Sequence, residues 1–205
     1  MNYAVSSDLQ KVSKPLKRKK RDIPQGAAVD SIPGDLTRQQ IVERFIRVDH
    51  AGEYGAVRIY KGQLAVLSGR PAATVRHMHD QEVVHCAYFQ QKIRERQVRP
   101  TALQPLWHVA GWALGAGTAL LGQRAAMACT VAVEEAIDEH YANQINQLGD
   151  DEADLRRTLV QFREEELEHR DIGYENGARR APAYTVLHGA IKVGTRLAIW
   201  LSERV

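Results

Sequence analysis

Only two cysteines occur in 205 residues, and aromatic residues make up 6 % of the chain. Two thiols, Cys86 and Cys129, cannot build a disulfide scaffold. Each lies in an apolar helical pattern, where free cysteines usually pack, so nothing demands an oxidising compartment. Residues 1–36 contain no apolar run of the kind a secretory signal carries. A mitochondrial presequence would be arginine-rich and poor in acids, whereas this start is lysine-rich with Asp8 and Asp22. The most apolar stretch, VAGWALGAGTALL at residues 109–121, is shorter than the ~20 residues that span a bilayer. Period-two alternation is absent, which excludes a β-rich fold. The net charge of +3 is modest. Much of the basic excess sits in Lys17-Arg18-Lys19-Lys20-Arg21, read as a solvated tail or, more sharply, as an attachment point for anionic lipid. No aromatic residue interleaves that run and no recognition motif follows it, which argues against nucleic acid.

What is present is helical. Apolar residues at 44 % and charged residues at 26 % suit one domain with a full core. Residues 1–36 hold Pro15, Pro24 and Pro33 without periodicity and read as a flexible basic tail, leaving 37–205 as the domain. Thr37 is placed to cap a first helix reaching residue 68, with Ile41, Phe45, Val48, Gly52, Ile59 and Val66 facing inward. Gly69-Arg70-Pro71 separates it from a second helix running to residue 97. Pro100 and Pro105 open a third region, in which the apolar run continues as one helix into MACTVAVEEAIDEHY. A fourth long helix covers 152–175, and a last apolar segment covers 182–203. The fold class is therefore all-α: a four-helix bundle with additional apolar helices.

The helices carry an internal repeat. Glu53 precedes Glu82 by 29 residues, and Glu82 precedes His85 by three. Glu134 precedes Glu166 by 32 residues, and Glu166 precedes His169 by three. A single Glu-x-x-His proves little in a chain with 14 glutamates and eight histidines. Its duplication says more. Positions i and i+3 point the same way on a helix, so each pair can present two ligands to one point. The chosen glutamates also lie on apolar faces: Glu134 with Met127, Val131, Ile137 and Tyr141, and Glu166 with Leu155, Leu159, Phe162, His169 and Gly173. Glu164, Glu165 and Glu168 fall off that stripe. Four bare carboxylates in a core would cost several kcal/mol each, and two divalent cations balance them. One Glu from each of two helices plus Glu-x-x-His from each of two others is the ferritin-like arrangement for two irons or manganese ions.

Candidate outer groups for the histidines are Asp49, His50, Asp80 and Asp138. Tyr141, two turns after Glu134, is either a core residue or a catalytic group beside the metals. The last segment combines aliphatic residues with Lys192, Arg196 and Trp200, the mixture of a helix lying in a lipid interface. Apolar segments beside such a site favour a lipid-soluble substrate over iron storage.

The segments RVDHAGEYGA, DQEVVH, LWHVAGWALGAGTALLG, MACTVAVEEAIDEHY, EEELEHRDIG and LSERV resemble the demethoxyubiquinone hydroxylase family of ubiquinone biosynthesis, over nearly all of residues 41–205. The resemblance implies a ferritin-like monooxygenase that hydroxylates the quinone ring of a demethoxyubiquinone with O₂, the penultimate step to ubiquinone. It implies two irons on Glu53, Glu82, His85, Glu134, Glu166 and His169, with Glu82 or Glu166 bridging, and electrons from NADH. It further implies peripheral attachment to the cytoplasmic face of a bacterial membrane or the matrix side of the mitochondrial inner membrane. Other ubiquinone-biosynthesis proteins, including a lipid-binding partner in mitochondria, are the implied associates, and self-association is left open. The alternatives are a quinol oxidase and an iron-storage bundle.

Overall fold

In the computed structural model, residues 34–205 are described, so the basic run at 17–21 and most of the expected tail lie outside the described residues. Helix α1 spans Arg38–Leu64 and begins at a capping box: the Thr37 side chain accepts from the Gln40 amide while Gln40 accepts from the Thr37 amide. Helix α2 spans Gly69–Glu95, and α3 spans Gln104–Leu120 with Pro105 in its first turn. Helix α4 spans Gln123–Gln147, α5 spans Ala153–Glu175 and α6 spans Tyr184–Ser202. Short 3₁₀ turns at Asp150–Glu152 and Ala178–Arg180 precede α5 and α6. No strand occurs among the described residues.

One expectation fails. The apolar run does not continue unbroken into the next helix. Gly122 adopts φ +106°, a left-handed conformation that favours glycine, and the chain turns there between α3 and α4. The first helix also stops short of Val66, which is exposed.

Two hairpins, α1–α2 and α4–α5, form the bundle; α3 packs on α1, and α6 packs on α4 and α1. The glycines of the apolar run explain the first of those packings. A Cβ on Gly115 would stand 1.9 Å from the Ile59 carbonyl oxygen, and one on Gly62 would stand 2.1 Å from that of Trp112. The two backbones therefore touch, and the small residues serve helix packing.

The core divides into two apolar clusters. One includes Phe45, Phe89, Leu159 and Phe162, and the other Tyr60, Met78, Met127 and Val131. In α1 the residues of the first cluster at Phe45 and Ile46 precede Glu53 and Tyr60 of the second follows it; in α2 the order is reversed around Glu82. Along α1 and α2, Glu53 and Glu82 thus sit between parts of the two clusters, whose large side chains each contribute about 1.5–3 kcal/mol on burial.

Candidate metal centre

The duplicated hairpins bring six side chains to one place. Glu53 comes from α1, Glu82 and His85 from α2, Glu134 from α4, and Glu166 and His169 from α5; none is more than 1 % exposed. They form two overlapping groups that could each hold a metal ion: Glu53, Glu82, His85 and Glu166, and Glu82, Glu134, Glu166 and His169. Glu82 and Glu166 belong to both. Their oxygens divide accordingly. Glu166 places Oε1 3.1 Å from His85 Nδ1 and Oε2 3.3 Å from His169 Nδ1. Glu82 places Oε1 3.1 Å from His169 Nδ1 and Oε2 3.9 Å from His85 Nδ1.

The donors fit divalent cations. Glu53 Oε2, both Glu82 oxygens, Glu134 Oε2, Glu166 Oε2 and His169 Nδ1 are buried without a hydrogen-bond partner. Native interiors leave few such atoms, because each costs about 1–3 kcal/mol or more. Mixed carboxylate and imidazole donors suit iron or manganese. The protonation pattern of the metal-free chain points the same way. Burial, with Glu166 adding repulsion, holds the Glu82 and Glu134 carboxyls well above the usual range. Burial opposes charge on Glu166 too, yet the His169 and His85 imidazoles, 3.3 and 3.1 Å from its oxygens, bring it down to about 2. On His85, burial pulls downward, but Glu166 and Glu53 push the imidazole up to about 11.

Four further side chains surround the six. Tyr60 on α1 donates to Glu134 Oε1 on α4 at 2.7 Å, and Tyr141 on α4 donates to Glu53 Oε1 on α1. Burial raises both phenols well above their ordinary value, so each keeps its proton to donate. His85 Nε2 meets Glu165 Oε2 at 2.7 Å, and His169 Nε2 meets Gln81 Oε1 at 3.0 Å.

The sequence pattern offers Asp49, His50, Asp80 and Asp138 for this role, and none of them reaches either ring. Asp49 is buried against Gln144 and His140, and His50 bonds Gln90. Asp80 pairs with His79 and Asp138 with Arg163. Tyr60, Gln81 and Glu165 escape a reading by helical face, although a signal exists. Tyr60 and Tyr141 each lie seven residues after the first-helix glutamate. Gln81 and Glu165 each lie one residue before the Glu-x-x-His. Glu165 is off the buried stripe, as its spacing implies, but a half-buried flank still reaches the neighbouring helix.

An apolar cavity of about 370 Å³ lies between α1, α3, α4 and α6; none of the six side chains lines it, but neighbours of Glu53 and Glu134 do. Gly52 and Ala56, one before and three after Glu53, line it from α1; Val133 and Ile137, at the same offsets from Glu134, line it from α4. Helix α6 closes one side. Its basic residues are also tied to α4: Lys192 Nζ lies 2.6 Å from Glu135 and 3.1 Å from Glu139, and Arg196 lies 2.6 Å from Glu139. They fasten α6 to α4, and Tyr174 on α5 adds a 2.7 Å bond to the same Glu135. Trp200 stays half exposed under the Arg204 guanidinium. No helix among the described residues is long and apolar enough to cross a membrane.

The family model described as ubiquinone biosynthesis protein COQ7 matches residues 40–202. The chain is similar to the 3-demethoxyubiquinol 3-hydroxylase of Rhodospirillum rubrum, at 63 % identity over 180 residues covering 87 % of this chain and 85 % of that protein. It is also similar to the mitochondrial NADPH-dependent 3-demethoxyubiquinone 3-hydroxylase of Homo sapiens, at 55 % over 177 residues covering 83 % and 81 %. The mitochondrial 5-demethoxyubiquinone hydroxylase of Saccharomyces cerevisiae is 42 % identical over 182 residues, covering 80 % and 78 %. With the match running from the first turn of α1 to the end of α6, the chain belongs to the ubiquinone biosynthesis protein COQ7 family.

Proposed function

We propose that this chain is a di-iron monooxygenase that hydroxylates the ring of a polyprenyl demethoxyubiquinol, acting in ubiquinone biosynthesis. The observation that carries the reading is the pair of overlapping Glu/His groups, sharing Glu82 and Glu166, set beside an apolar cavity. Glu53, Glu82 and His85 with Glu166 would hold one iron, and Glu134 and His169 with the same two shared carboxylates the other. When bound, a ferrous pair supplies the reductive splitting of O₂. The reaction balances with one oxygen atom entering a ring C–H bond to give C–OH. The other leaves as water, taking two electrons and two protons from the reductant.

The chain's own part is placement. Tyr60 and Tyr141 hold the two unshared carboxylates by one oxygen each, leaving the second oxygen for a metal. The cavity is apolar and has the volume of an ordinary small-ligand site, enough for a quinol head. Its walls come from α1, α3, α4 and α6, with glycines and alanines beside Ile59, Trp107, Leu114 and Ile137, and would admit a flat ring and a greasy tail. Exposed Leu106, Val109 and Trp112 on α3, with Val193, Leu197 and Trp200 on α6, flank this region and would rest against a bilayer that carries the substrate. Attachment would be peripheral, on the cytoplasmic side of a bacterial membrane or the matrix side of a mitochondrial one; similar proteins come from a bacterium and from mitochondria. The reductant is a nicotinamide nucleotide. The names of several mitochondrial relatives specify NADPH, and the resemblance points to NADH, so each is to be supplied in turn.

The test is an incubation of the iron-loaded chain with demethoxyubiquinol, reductant and isotopically labelled O₂, followed by mass spectrometry of the lipid extract. One labelled oxygen in the product is expected, with Glu166→Ala binding no iron and forming none. Label found only in water would make the chain a quinol oxidase, and many irons per chain would make it a storage bundle.

A further inference from the structure

We propose that the two metal positions are unequal, the one on His85 holding its cation more tightly than the one on His169, because Glu165 backs His85 with a carboxylate where Gln81 backs His169 with an amide. The inference rests on the two-metal reading above and asks which half of the site is stronger.

The internal repeat makes the comparison clean. Each position has one unshared glutamate, the two shared glutamates and one imidazole Nδ1. Each unshared glutamate accepts from a tyrosine of the opposite hairpin. The directly facing donors are therefore matched in type, number and charge. The chemical difference lies one bond further out. Both imidazoles turn Nδ1 toward the carboxylates, so Nε2 carries the proton and donates it. From His85 it goes to Glu165 Oε2 at 2.7 Å, and from His169 to Gln81 Oε1 at 3.0 Å.

A carboxylate accepts such a proton through a shorter, charge-assisted bond of roughly twice the strength of a neutral one. It draws the Nε2 proton outward and leaves Nδ1 the better electron donor to a cation. An amide carbonyl does this less. Glu165 is itself held in place, since Gln161 Nε2 donates to its other oxygen at 2.9 Å and leaves Oε2 aimed at the ring. The ring is fixed by stacking on Phe162 at a centroid distance of 3.9 Å, whereas His169 meets Tyr60 edge-on at 6.2 Å. Glu165 and Gln81 are positioning residues, since each acts through a histidine.

The experiment titrates the metal-free full chain with Co²⁺, following visible absorbance for affinity and the shifted imidazole N–H lines in the proton NMR spectrum for order of filling. The wild type is expected to fill in two steps separated by about tenfold or more, the usual effect of an outer partner on metal affinity. Glu165→Gln should weaken the tighter step until the two merge. Gln81→Glu should strengthen the weaker step, a gain that a damaged fold does not produce. The double exchange should restore two steps with the order of the two histidine lines reversed. Two equal steps in the wild type, or a Gln81→Glu chain whose weaker step is unchanged, would overturn the inequality. A wild type that takes up no Co²⁺ would overturn the metal reading and the inequality together.

Discussion

Replacing Gly115 with alanine tests whether the glycines of α3 serve helix packing. The new Cβ would lie 1.9 Å from the Ile59 carbonyl oxygen and 2.7 Å from its carbon, about 1.5 Å short of ordinary contact. The obstacle is backbone on both helices, so no side chain can swing away, and α1 and α3 must separate. Overpacking of this kind costs about 1–3 kcal/mol, and the rigidity of the clash places it at the upper end. Alanine returns up to about 1 kcal/mol in helix propensity, which leaves a net loss of about 2 kcal/mol. In a chain of this length that is a fall of about 4–8 °C in Tm. The control is Gly117, two residues on in the same helix, where a Cβ meets nothing within 4 Å. Gly117→Ala should gain the propensity alone and rise by about 2–4 °C. Both are read by circular dichroism melting of the metal-loaded chain. A Gly115→Ala protein that melts at or above the wild type would show that α1 and α3 do not touch as described.

Two further outcomes follow from buried polar groups. Tyr60→Phe and Tyr141→Phe each strip a carboxylate of its donor, and each is expected to weaken metal retention by about tenfold, measured by competition with a chromophoric chelator; an unchanged constant for both would remove the tyrosines from the site. Asp49 is pushed up by burial from 3.8 to about 6 in the metal-free chain, despite His140 and Gln144 beside it. Its folded pKa lies above the unfolded value, so folding takes up a proton in the window between about pH 4 and 6, and stability falls as pH rises through it. Asp49→Asn removes that dependence. The variant should match the wild type near pH 4 and exceed it at pH 7 by up to about 3 kcal/mol in urea unfolding; equal stability at both pH values would show that Asp49 is not buried as an acid.

The bundle was legible because burial dictates period. The inner stripe expected for α5 matches its buried face, Leu155, Leu159, Phe162, Glu166, His169 and Gly173, and α2 buries Val75, Met78, Glu82, His85, Phe89 and Ile93 at the same helical spacing. The same logic singles out Glu134 over Glu135, which instead pairs with Lys192. Composition misleads where one residue type serves two physical ends. Glycine and alanine in α3 resemble lipid-facing small residues, yet they mark backbone contact with α1. Lysine and arginine in α6 resemble an interfacial face, yet they bind Glu135 and Glu139. The outer partners are hidden for a different reason. A helix period reports which residues share a face, whereas Tyr60, Gln81 and Glu165 act across to another helix. What exposes them is the repeat itself. Tyr60 and Tyr141, and Gln81 and Glu165, stand at matching offsets in the two hairpins and each meets a ligand of the other, so offsets of +7 and −1 carry information that neither helix holds alone. Each half of the centre is finished by the other hairpin: Glu53 by Tyr141, Glu134 by Tyr60, His85 by Glu165 and His169 by Gln81. A single hairpin therefore lacks a complete site, and an isolated peptide of residues 37–97 is expected to bind no metal and to show little helical circular dichroism.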